Sequence, residues 1–364
     1  MKVPMVDLTE QYHRLKDQID AGMRNAMETA AFILGPNVQA FEKEAADYLG
    51  VKHAIGVGSG TDALHLALLA LGIKAGDEVI TTPFTFVATA EAIKYVGATP
   101  VFVDINPDTF NIDLKAVEKA ITAKTKVVIP VHLFGQPVDM PALKTLCDAK
   151  GLKIVEDCAQ SFGASINGKQ TGSFGDLGAF SFFPSKNLGC YGDGGMVTTN
   201  SDDLAATVKQ YRNHGSKVQY HHSLVGYTSR LDELQAVVLR AKLPLIDEFN
   251  NNRRRVDQTY KAMLAGTGIQ MPFEDGVGKH VFHQYVCLHP KRDQILQTLR
   301  DNQIACAIYY PVPLHKQEVF AKECAGMSLP ITESITSQCF ALPVYPELSE
   351  EKIKLVTDTI KTAL

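Results

Sequence analysis

The sequence predicts an α/β fold, with a mostly parallel central sheet covered by helices and a smaller α+β domain after it. Three observations predict it. Between residues 50 and 200, short β-branched runs alternate with segments of helical periodicity. After about residue 245 the texture changes to strands mixed with helices. No repeat at a period of roughly 20–50 residues points to a solenoid or propeller instead.

The elements follow in order. TDALHLALLALG (61–72) reads as a helix behind a glycine turn, and DEVITT (77–82) as a strand. ATAEAIKYVG (88–97) is helical, TPVFVDI (99–105) a strand, and LKAVEKAI (114–121) helical again. KVVIPVH (126–132), PALKTLCDAKG (141–151) and KIVEDC (153–158) continue the alternation, and AFSFF (179–183) and GMVTTN (195–200) close it. This pattern places a large domain at residues 1–245. A polar helical stretch, LIDEFNNNRRRVDQTYKAMLAG, leads into a small domain at 246–364, which holds QYVCLHP, QILQTLRDN, IACAIYYPVP and a final helix. No Gly/Ser linker separates the two, so they are expected to pack firmly.

Composition narrows the function classes. With 45% hydrophobic and 21% charged residues over 364 positions, the chain suits a globular protein with a large core. A net charge of −4 argues against a nucleic-acid binder. The N-terminus turns polar too early for a secretory leader, and ALHLALLALGI (63–73) is too short to span a bilayer and contains His65. The seven cysteines have wide spacings and no CxxC, which reads as free thiols in a reducing cytoplasm, with no metal site expected.

Three segments carry chemistry. In GVGSGTDALHLAL (56–68) a glycine turn meets a helix N-terminus, where free N–H groups bind anions; the glycines alone would equally serve a tight turn. In KIVEDCAQSFGA, Asp157 stands at a strand's carboxyl end, the edge where open α/β sheets bind ligands, with Gln160 three residues on. A helix cap is the plainer role for such an aspartate. In FSFFPSKNLGCYGDGG (180–195), Lys186 follows an aromatic strand and a proline. A desolvated lysine becomes a nucleophile toward carbonyls, whereas an isolated lysine more often lays its stem over apolar surface. Together the three describe the needs of a phosphorylated pyridine aldehyde. Its phosphate takes N–H groups and hydroxyls such as Ser181, its ring nitrogen a carboxylate, its aldehyde an amine. Phe86 offers a ring to stack on the pyridine, or simply core packing.

The segments VGSGTDAL, TPFTFVAT, VEDCAQSFGA, FSFFPSKNLGCYGDGGMVTTN, SRLDELQAVVL and YYPVPLHKQ together resemble the DegT/StrS family of sugar aminotransferases, over essentially the whole chain. The resemblance implies the aspartate-aminotransferase-like fold (fold type I), pyridoxal 5′-phosphate as cofactor and a cytoplasmic homodimer with shared active sites. It is similar in FILGP, YHH and SRLD-LQA to enzymes that aminate C3 of a UDP-linked 2-acetamido-3-keto uronic acid for surface polysaccharide (O-antigen). dTDP-3-keto-6-deoxyhexose 3-aminotransferases and UDP-4-keto-sugar 4-aminotransferases are the alternatives. By position, it implies that Lys186 binds the aldehyde and moves protons, with L-glutamate as donor and a nucleotide-linked keto sugar as acceptor. Asp157 pairs with the pyridine nitrogen and Gln160 lies near the ring oxygen. Gly60, Thr61 and Ser181 hold the phosphate, and Phe86 stacks.

Two positions depart from the family pattern. The partner-subunit loop G-x-N-x-R reads Gly226-Tyr227-Thr228-Ser229-Arg230 here, with Thr228 for the asparagine. Tyr309-Tyr310 stands where His-Tyr is usual, at a substrate-facing position. For a uronate, Arg230 is the first candidate cation, because a guanidinium fork suits a carboxylate; His221 and His222 are the second. The Arg253–Arg255 run reads as a solvated helix face rather than a diphosphate contact. His315 reads as structural or at the cleft rim. A dehydratase of this fold carries histidine at the lysine position, and Lys186 argues against it. A non-catalytic cofactor-binding sensor would bring a basic DNA-binding segment, and none is seen.

Overall fold

In the computed structural model, which describes residues 2–218 and 220–364, seven strands form the central sheet. They are β1 (His53–Val57), β2 (Glu78–Thr81), β3 (Thr99–Phe102), β4 (Thr125–Val128), β5 (Lys153–Asp157), β6 (Leu177–Ser181) and β7 (Gly195–Thr199). Their spatial order is β1-β7-β6-β5-β4-β2-β3. Every pairing is parallel except those of β7, which runs antiparallel to both β1 and β6. The parallel strands thus end on one edge, and Asp157 and Ser181 are the last residues of β5 and β6.

The strands are shorter than the apolar runs predicted, because several runs continue past the last ladder bond into the edge loops. Burial on both faces explains their unbroken apolar character; β6 and β7 are buried along almost their whole length. β1 was not predicted, since HAIGV blends into the glycine turn behind it. The helix Gly60–Ala70 buries Ala63, Leu64, His65, Leu66, Ala67 and Leu68 against the sheet. Each fully buried leucine stabilises by about 1.5–3 kcal/mol. Ser59 caps that helix, its Oγ accepting from Asp62 N at 3.1 Å.

A second core gathers Val256, Tyr260, Tyr285, Leu299, Phe340, Ile353 and their neighbours, and Val3 of the N-terminal segment belongs to it. There β8 (Tyr285–Leu288) pairs antiparallel with β9 (Cys339–Leu342). IACAIYYPVP forms no strand and joins its surroundings through single bridges at Ile304 and Ala307. The arginine run is not a solvated face. Arg253 is buried and its Nη1 donates to the carbonyls of Phe282, His283 and Val344. Arg254 pairs with Glu274, and Arg255 donates to the Leu348 carbonyl. This polar helix is thereby tied to the second core largely through carbonyls, which no side-chain pattern announces. Among the described residues no helix is long and apolar enough to cross a membrane.

Candidate active site

A cleft of about 620 Å³ opens at the carboxyl edge of the sheet. Gly60, Thr61, Phe86, Asp157, Gln160, Ser181, Lys186, Tyr309 and Tyr310 all line it. Two close approaches shape its floor. A Cβ on Gly60 would come within 2.6 Å of Ser181 Cβ, and one on Gly195 within 2.2 Å of Ser59 O. The first-turn N–H groups of Gly60 and Thr61 have no intrahelical acceptor, and Ser181 is beside them.

Asp157 is buried, and burial pushes its carboxyl above the usual range. Thr89 Oγ1 donates to Oδ2 at 2.8 Å and Ala159 N to Oδ1 at 3.1 Å. These donors orient the carboxylate but carry no charge, so a cationic N–H would complete it. Lys186 is pushed down to about 8, from the ordinary 10.5, by burial, while Asp157 opposes the shift. Gln160 Oε1 accepts from Phe134 N at 2.7 Å and its Nε2 donates to the Tyr310 hydroxyl at 3.0 Å. That hydroxyl reaches the cleft from the IACAIYYPVP segment. Phe86 is 57% exposed although it lines the cleft, which leaves a ring face for a planar guest.

The sequence profile of the DegT/DnrJ/EryC1/StrS aminotransferase family matches residues 13–361. The chain belongs to this family. It is 48% identical to the UDP-N-acetyl-3-dehydro-α-D-glucosamine 3-aminotransferase of Acidithiobacillus ferrooxidans, covering 100% of this chain and 98% of the relative. It is 42% identical to the UDP-2-acetamido-2-deoxy-3-oxo-D-glucuronate aminotransferase of Pseudomonas aeruginosa, over 97% and 98% of the two chains. The structure of S. venezuelae DesV in complex with a ketimine intermediate superposes with a TM-score of 0.97 at 41% identity, covering 99% and 98%. The expected fold is borne out, and this family member is a pyridoxal-phosphate-dependent sugar aminotransferase.

The cleft fits that cofactor. It combines an open helix N-terminus beside a hydroxyl, a buried carboxylate lacking a cation, an exposed ring face and an amine of lowered pKa. Other expected residues lie elsewhere. Thr228, Arg230, His221 and His222 do not line the chain's own cleft. Thr228 Oγ1 pairs with His214 Nε2 at 2.7 Å, and Arg230 donates to Asn213 Oδ1 at 3.2 Å. His221 and His222 are exposed, and His222 Nδ1 donates to the His214 carbonyl. Between Thr228 and Arg230, Ser229 donates to Asp62 at 2.8 Å and accepts from Gly58 N, tying this loop to the glycine turn. His315 is buried against Glu333, 3.0 Å away.

The sequence reading missed Thr89, His283 and Gln284. Each lines the cleft; Thr89 closes the TPFTFVAT segment, of which only Phe86 was singled out, and the segment of His283 and Gln284 carries no motif of its own. His132, Glu156 and Cys158 bring possible metal donors within 4.8 Å of one another. Hydrogen bonds account for His132 and Glu156 instead. His132 Nδ1 accepts from Val138 N and Nε2 donates to Glu156, both at 3.0 Å, and burial pushes the Cys158 thiol well up.

Proposed function

We propose that the chain transfers the amino group of L-glutamate to C3 of a UDP-linked 2-acetamido-2-deoxy-3-keto hexose with an uncharged C6. One observation carries the choice at C6. Among the described residues lining the cleft, Lys186 is the only lysine or arginine, so one protomer offers a sugar carboxylate no cation. The two relatives both act, by name, on 3-keto 2-acetamido sugars and differ at C6. A uronate is the second reading, and it requires Arg230 to enter the cleft of a second protomer.

When bound, the cofactor supplies an electron sink for the carbon that loses its proton. The chain supplies the rest. Gly60, Thr61 and Ser181 hold the phosphate through N–H and hydroxyl donors. Asp157, steered by Thr89, keeps the ring nitrogen protonated. Lys186 would be the base that takes the α-proton of glutamate and, with the transfers run in reverse, the acid that gives a proton to C3 of the sugar. Its lowered pKa leaves a fraction of the amine neutral near pH 8, as a base requires. Phe86 and the Tyr310–Gln160 pair limit how the ring and sugar tilt. The reaction belongs in the cytoplasm of a homodimeric enzyme that feeds surface-polysaccharide assembly.

The test presents four acceptors to the purified protein with L-glutamate: UDP-linked 2-acetamido-3-keto-glucose, its uronate, a dTDP-3-keto-6-deoxyhexose and a UDP-4-keto sugar. Mass spectrometry of the amino sugars should rank the first highest. A preference for the uronate installs the second reading, and a preference for either of the others overturns both.

A further inference from the structure

The cleft holds one imidazole whose tautomer the fold determines. His283 is 6% exposed, lines the cleft, and places Nδ1 3.2 Å from Asn187 Oδ1. Two main-chain carbonyls, which only accept, orient the amides behind it. Asn250 Nδ2 donates to Phe162 O at 3.0 Å, leaving Asn250 Oδ1 to accept from Asn187 Nδ2 at 2.7 Å. Asn187 Nδ2 also donates to Val281 O at 3.0 Å. Asn187 Oδ1 is therefore an acceptor, and His283 must carry its proton on Nδ1. The chain has made room for this relay: at Gly163, where φ is +86°, a Cβ would sit 2.4 Å from Asn250 Nδ2.

Nε2 is then a lone-pair acceptor, and it bonds to none of the described residues. Burial first, then Lys186 and Arg253, hold the imidazole well below its ordinary 6.5, so it stays neutral across the working range. The neighbouring Gln284 also lines the cleft, and its Oε1 is buried without a partner. An unpartnered acceptor on the cleft wall calls for a guest that brings donors. With its amine engaged in the transfer, glutamate offers only carboxylate acceptors, as do the phosphate and the ring oxygen; a keto sugar brings hydroxyl groups and an acetamido N–H.

We propose that His283 Nε2 accepts a hydrogen bond from an O–H or N–H of the sugar, making it a specificity-determining residue of the second half-reaction. This rests on the sugar-aminotransferase reading and deepens it. Because Asn187 follows Lys186 in the chain, the same relay links the sugar contact to the segment bearing the nucleophile.

The test separates the half-reactions by absorbance, adding L-glutamate alone and then, to the aminated enzyme, whichever acceptor of the panel above turns over fastest. His283→Phe should lower kcat/KM for the sugar on the order of tenfold, the worth of one neutral hydrogen bond, and affect glutamate far less. His283→Gln, which restores an acceptor, should recover part of the loss. In Asn187→Asp a carboxylate would face Nδ1–H and favour the imidazolium. The sugar step should then weaken as pH falls, while the wild type shows no such limb from His283. Equal losses in both half-reactions, or no recovery with glutamine, would overturn the proposal. If Asn187→Asp does not fold, the comparison of phenylalanine with glutamine decides. Should a different sugar class be the best acceptor, the substrate reading fails while the His283 proposal is still judged on that sugar.

Discussion

Glu156 and Asp157 are consecutive residues of β5 whose carboxylates serve opposite faces of the sheet, as strand alternation requires. Asp157 lines the cleft. Glu156, fully buried, accepts from Gly172 N at 2.9 Å, from Phe174 N and Gly175 N at 2.7 Å each, and from His132 Nε2 at 3.0 Å. His132 also donates its main-chain N–H to Asp157 O at 3.1 Å, and Asp157 N donates to Pro130 O at 2.9 Å. The edge that carries Asp157 is therefore braced from behind by a carboxylate outside the cleft.

Removing that brace should cost stability before it costs chemistry. Glu156→Ala leaves three N–H groups and an imidazole N–H without an acceptor, and each buried donor left unsatisfied costs about 1–3 kcal/mol. Urea unfolding should show that loss. A change under about 1 kcal/mol would mean that water or a shifted loop replaces the carboxylate.

On the cleft side, Asp157→Asn keeps the shape and removes the charge. Hydrogen bonds to charged groups contribute about 1.5–3 kcal/mol, so the glutamate half-reaction should slow by roughly 10- to 150-fold. Stability should rise or stay level, because burial now disfavours the ionised form. An unchanged half-reaction rate would remove Asp157 from the mechanism.

The lowered pKa of Lys186 sets a pH dependence. Only the deprotonated amine attacks the aldehyde, so the rate at which cofactor-free protein takes up pyridoxal phosphate should rise with pH. It should level off above about 8, not near the ordinary 10.5. Rapid-mixing absorbance between about pH 6 and about pH 11.5, which brackets both values, would record it. A midpoint near 10.5 would mean that the amine is fully solvated.

The loop holding Thr228 and Arg230 lies outside its own cleft, and a shared dimeric site would use it. The uncharged-C6 reading predicts that Arg230→Ala alone keeps most of its activity; under the uronate reading, with Arg230 in the partner's cleft, Lys186→Ala and Arg230→Ala are each inactive or strongly impaired alone. Equal mixtures, allowed to exchange subunits, should then regain roughly a quarter of wild-type activity, since hybrid dimers carry one intact site. No recovery despite proven exchange would place Arg230 in a structural role.

Much of the site was legible because its chemistry is written locally. Asp157 ends an apolar strand, Gly60 and Thr61 open a helix, and Lys186 sits between aromatic residues and glycines. The rest depends on contacts across the chain. Arg253–Arg255 look solvated until distant segments present the carbonyls of Phe282, Val344 and Leu348. His283 gains its tautomer through Asn187 and Asn250, residues 96 and 63 positions removed along the relay. Thr89 matters only because its helix starts beside Asp157. β1 was hidden because its glycine and alanine carry little β signal.

The measurement that bears most directly on the account is the near-visible absorption of the pyridoxal-phosphate-loaded protein. It would be recorded alone, after L-glutamate, and after the UDP-linked 2-acetamido-3-keto sugar. The account predicts a band from the lysine-bound cofactor that bleaches with glutamate and returns with the sugar, and that is absent in Lys186→Ala. A band that persists in Lys186→Ala, or one that glutamate leaves untouched while the protein remains folded, would contradict it.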